Sequence, residues 1–88
     1  MRYAIQSTPT GCTVSKTESH LSTQLPVPVM AGDLTAAIAT MLADADRKEK
    51  EVGPVQIVKT ADGISIRTAQ GQVTIGWQHL WSIERVPA

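Results

Sequence analysis

Phenylalanine is missing from this chain, and tyrosine occurs once, at Tyr3. Two tryptophans complete the aromatics, so core volume has to come from Ile, Val, Leu and Met. One cysteine, Cys12, excludes an internal disulfide and any metal site built from several thiolates. The formal net charge is zero, so no global field steers the protein toward nucleic acid or an anionic membrane. No stretch approaches the roughly 20 apolar residues that cross a bilayer. Met1-Arg2 runs straight into strand-like sequence, without the apolar segment of a signal peptide. The expectation is a soluble cytoplasmic protein with no membrane partner.

What is present is ordinary for a globular chain: 42% hydrophobic and 18% charged residues over 88 positions. That length makes one domain, 1–88, burying roughly 60–65% of the surface its unfolded form exposes.

Local pattern gives the elements. Arg2–Ser7 and Cys12–Thr17 flank the turn signal Thr8-Pro9-Thr10-Gly11. Closing that turn sets Ile5 opposite Val14 and Tyr3 opposite Lys16, with Tyr3, Ile5, Cys12 and Val14 on one face. Residues 18–32 read as a long connector, since Pro26 and Pro28 favour an extended path and forbid a central strand. Leu25, Val27 and Val29 are expected to tuck over the core edge. Leu34, Ala37, Ile38, Met41, Leu42 and Ala45 form an apolar stripe at helical spacing, predicting one helix over 33–51. Asp33 would cap it, and Gly53-Pro54 would stop it.

Val55–Lys59, Ile64–Thr68 and Gln72–Trp77 alternate in polarity and predict an antiparallel meander. A two-residue Gln70-Gly71 turn would pair Ile66 with Ile75 and Ile64 with Trp77. Arg67 and Thr74 then share the opposite face, and Trp77 reads as core. Leu80, Trp81 and Ile83 predict a helical turn over Gln78–Trp81 and a last extended piece, Ser82–Val86. The assembly expected is ββ-α-βββ, an α+β domain with about five strands in one sheet and the helix on its apolar face.

Chemistry is sparse. His20 and His79 have no partner at metal-ligand spacing, and Cys12 reads as a small inward hydrophobe. The five acids of 33–51 are interleaved with Arg47, Lys48 and Lys50, the pattern of a solvated face. Gly71–Gly76 lacks the Lys-Ser/Thr of a phosphate loop. No catalytic, cofactor-binding or metal-binding residue is assigned, and no enzyme is expected.

The candidate binding surfaces are Trp81 with His79 and Arg85, the connector prolines Pro26 and Pro28, Arg67 on the far face, and the charged stretch Arg47-Lys48. Exposed tryptophan is enriched at binding hot spots. The expectation is a non-enzymatic small protein, monomer or homodimer, that occludes or bridges a protein partner. Phages and mobile elements encode many autonomous inhibitors of host defence of this kind, an analogy of class without a motif. Two alternatives stand beside it. One is a nucleic-acid module using the sheet face and Trp81, for which Arg2, Lys16, Arg67 and Arg85 would have to converge. The other is a small-ligand-binding dimer.

Overall fold

A computed structural model describes residues 1–86. It contains eight strands in two four-stranded sheets and one helix, a small α+β domain. The first sheet has the order β3-β2-β1-β8, from β1 (Arg2–Thr8), β2 (Gly11–Glu18), β3 (Leu21–Val27) and β8 (Glu84–Val86). The second has the order β4-β5-β6-β7, from β4 (Glu49–Val52), β5 (Val55–Lys59), β6 (Gly63–Thr68) and β7 (Gly71–Gly76). All pairings are antiparallel except β8 on β1. The single five-stranded sheet expected from the pattern is therefore corrected to two sheets.

The hairpin β1–β2 has the anticipated register, Ile5 with Val14 and Tyr3 with Lys16. Its inward residues Tyr3, Ile5, Cys12 and Val14 are all buried. Those of β5–β7, namely Val55, Ile57, Ile64, Ile66, Val73 and Ile75, are buried as well. They belong to one cluster with the helix residues Leu34, Ala37, Ile38 and Met41. Each such aliphatic chain removed from water contributes about 1.5–3 kcal/mol before the cost of ordering is counted. Edges β3 and β7 abut on one side, while the helix α1 (Ala31–Ala43) touches β4, β5 and β1. The helix thus packs against both sheets and not on the face of one.

Several expectations are corrected with it. The 18–32 connector contains β3, paired with β2 from Cys12–Val27 to Glu18–Leu21. Pro26 is accommodated because β3 is an edge strand, where a missing N–H breaks no central ladder. Leu25, Val27 and Val29 are buried as read. The helix starts earlier than expected, and the first helical bond runs from the Leu34 N–H to the Met30 carbonyl at 3.0 Å. Asp33 is in the first turn and makes no cap; the N-cap residue is Met30.

The helix ends at Ala43, eight residues short of the predicted end. Asp44 accepts the Asp46 N–H on Oδ1 at 3.1 Å, a local turn that competes with the helix. Beyond it, Glu49–Val52 is drawn into the ladder with β5, a case of tertiary pairing overriding helix propensity. With the helix ended at Ala43, Asp46 and Lys50, like Arg47 and Glu51, lose the i,i+4 spacing that a helix over 33–51 would have given them. Gly53-Pro54, read as a helix stop, is the two-residue turn of the β4–β5 hairpin, with Gly53 at φ +57.

In the meander the pairing is Ile66 with Val73 and Ile64 with Ile75, because the turn residues are Ala69-Gln70. The shift from the expected register is two residues, so every side chain keeps its face. Trp77, left without its expected strand partner, starts a single 3₁₀ turn, Trp77–His79.

Candidate functional site

The chain leaves β7 through that turn and re-enters the first sheet at β8, and this crossing builds the most notable surface. Leu80 points inward and is buried, while the adjacent Trp81 is 83% exposed. Ile83 packs partly against the core. In α1, Ile38 and Leu42 fall four residues apart on one face, and that face meets Leu80 and Ile83. The result is a groove of about 240 Å³ whose lining also includes Trp81 and Arg85. Arg85 pairs with Ile5 across the β1–β8 register, so it projects on the helix side of the sheet. Its neighbour Glu84 is on the other face, joined to Arg2 at 3.3 Å. Among the described residues Arg85 has no ion-pair partner.

A second cleft, about 560 Å³, lies on the other side of the 3₁₀ turn, lined among others by Tyr3, Lys16, Asp62, Trp77 and His79. The His79 ring is tilted against Tyr3 with centroids 5.5 Å apart. Trp77, expected in the core, is 39% exposed, and its indole N–H donates to the Ala61 carbonyl at 3.1 Å. That hydrogen bond holds the ring along the β5–β6 loop. A third cleft of about 490 Å³ sits at the β1–β2 turn beside Pro26, Pro28 and Cys12. Burial pushes the Cys12 thiol above its ordinary value, because desolvation disfavours the thiolate.

The residues singled out in the sequence are thus dispersed. Trp81 and Arg85 share the groove. His79 belongs to the polar cleft, and Pro26 and Pro28 to the cleft at the turn. Arg67 lies on the outward face of the second sheet, across from Gln56 and Gln72. Arg47 and Lys48 occupy the link between α1 and β4, where Arg47 approaches Asp44 at 3.8 Å. They are not at a helix end, since the helix has stopped at Ala43.

Sequence reasoning missed Ile38, Leu42, Leu80 and Ile83 as site residues. Only the helix pair carried a signal, Ile38 and Leu42 belonging to the apolar stripe with Leu42 left partly buried, while nothing local marked Leu80 and Ile83 as their neighbours.

Among the described residues no group of three or more His, Cys, Asp or Glu is arranged to hold a metal ion. No helix among them is long and apolar enough to cross a membrane. Compared with protein-family models, curated proteins and solved structures, the chain matches none.

Proposed function

We propose that the protein is a small non-enzymatic binding domain that acts through protein–protein contact, with the Trp81 groove as its docking surface. The observation that carries this reading is the exposure of Trp81 directly beside the apolar residues Ile38, Leu42 and Ile83. A tryptophan held in water beside an apolar groove gains large buried area on binding and loses little side-chain entropy. Occlusion of a macromolecular partner, as a phage- or mobile-element-encoded inhibitor of a host protein would act, is the mode this size and surface fit. The cytoplasm is the compartment proposed with it.

Nucleic acid is the weaker partner class. Arg2 is engaged with Glu84, Lys16 lines the polar cleft, Arg67 is on the far sheet face and Arg85 borders the groove. Four cations spread in this way do not form the basic stripe that a phosphate backbone requires.

The test compares the wild-type protein and Trp81→Ala as tagged baits against a lysate of the source cells. A specific protein retained by the wild type and lost by a variant of unchanged melting temperature supports the reading. Equal retention by both baits removes the groove from it. A steep salt dependence of binding to single- or double-stranded nucleic acid would transfer the function to the other class.

A further inference from the structure

The groove has an open sheet edge along its rim. Strand β8 is the last strand of the first sheet, bonded to β1 on one side, and no described strand pairs with its other side. Glu84, Arg85 and Val86 are all exposed. An unpaired edge of this kind presents N–H and C=O groups in a row that a further strand can satisfy. Its helix-side residue is Arg85, which together with Ile83 lines the groove against Ile38 and Leu42.

Resting on the protein-binding reading above, we infer that the partner contributes an extended segment that adds to β8 as a fifth strand. Alternate side chains of that segment then enter the groove. Residues directly opposite across a sheet share a face, so the segment residue facing Arg85 projects toward the helix side. The residue two positions along, beside Ile83, projects the same way. The first faces a cation without an ion-pair partner among the described residues. The second faces Ile38, Leu42 and the Trp81 indole.

The groove therefore selects a carboxylate and an aliphatic or aromatic side chain two residues apart in an extended peptide. Main-chain bonds along the edge provide affinity, and the two pockets provide specificity, the general logic of strand addition. An acidic segment is favoured because no Asp or Glu lines this groove to neutralise Arg85.

The experiment pans a displayed library of random eight-residue segments on the whole protein and measures the enriched peptides with purified variants. Enrichment of an acid and an apolar residue at i and i+2 is expected. So is protection from hydrogen exchange, on binding, of the β8 amides that point away from β1, and a loss of at least about tenfold in affinity with Trp81→Ala. Arg85→Glu should reject the acidic peptides and accept those with Lys in place of the acid. Enriched apolar residues at i, i+3 and i+4, still dependent on Trp81, would overturn strand addition while leaving the groove as the docking surface. Peptides indifferent to Trp81→Ala would overturn both. A concentration-dependent dimer abolished by Arg85→Glu would overturn the foreign segment in favour of a second copy of this chain.

Discussion

The Tyr3 hydroxyl donates to the Thr74 carbonyl at 3.0 Å, joining the first strand of one sheet to the last strand of the other. The two residues are 71 positions apart, so this bond links the ends of the fold. Replacement by Phe keeps the ring against His79 and removes this bond together with the weak hydroxyl contact to Met1 Sδ at 3.1 Å. Tyr3→Phe should therefore cost about 1 kcal/mol, the net worth of one intramolecular hydrogen bond. Urea unfolding reads this directly. An unchanged midpoint would mean that water replaces the hydroxyl without loss.

Two glycines separate backbone crowding from helix propensity. A methyl built on Gly63 would fall 1.9 Å from the Ile75 carbonyl oxygen, across the paired β6–β7 backbone. One built on Gly32, in the first turn of the helix, meets nothing within 4 Å. Gly63→Ala is expected to destabilise by about 3 kcal/mol, the upper range for overpacking against a fixed backbone. Gly32→Ala should stabilise by about 0.5–1 kcal/mol through reduced chain entropy. Thermal melts of the two variants must move in opposite directions for this account to stand.

Cys12 makes stability fall at high pH. Below its ordinary value of 9.0 the thiol is protonated in both folded and unfolded chains, and its contribution is complete. As pH rises through that value the unfolded chain releases its proton while the buried thiol retains it. The folded state then binds more protons, so stability declines with further alkalinity, toward the raised value of the folded thiol. The measurement is the difference between wild type and Cys12→Ala from pH 7 to 10, in which contributions common to both proteins cancel. That difference should shift against the wild type above about pH 9. Alkylation should also be slow in native buffer and fast in urea; equal rates would contradict the burial.

The first hairpin was legible residue by residue, since one turn signal fixed its register and alternation fixed its face. In the meander alternation gave the faces, but Ala69-Gln70 and Gln70-Gly71 are nearly equivalent as turns. A two-residue error there left every face correct and displaced every partner, Ile64 moving from Trp77 to Ile75. The stretch from Asp44 to Val52 could not be read, because its composition favours helix and its strand pairing depends on β5. β3 was hidden by Pro26, whose tolerance depends on the strand being at an edge. The groove combines residues from α1, the segment between the 3₁₀ turn and β8, and β8 itself, three segments whose proximity no local pattern specifies.

Leu80 and Trp81 are adjacent in sequence and opposite in consequence. Leu80 is buried under the crossing chain, while Trp81 stands in solvent with 83% of its surface exposed. Leu80→Ala removes packed methyl groups and should cost about 2–4 kcal/mol, depending on how far the crossing segment collapses into the space. Trp81→Ala removes a side chain that the fold does not use and should stay within about 0.5 kcal/mol of wild type. Melting and urea midpoints measured on both variants separate scaffold from surface at this position. A large loss with Trp81→Ala would show the indole to be part of the packing, and the exposed ring could then not serve as the docking residue. With stability unchanged, any binding lost by Trp81→Ala is a property of the groove itself.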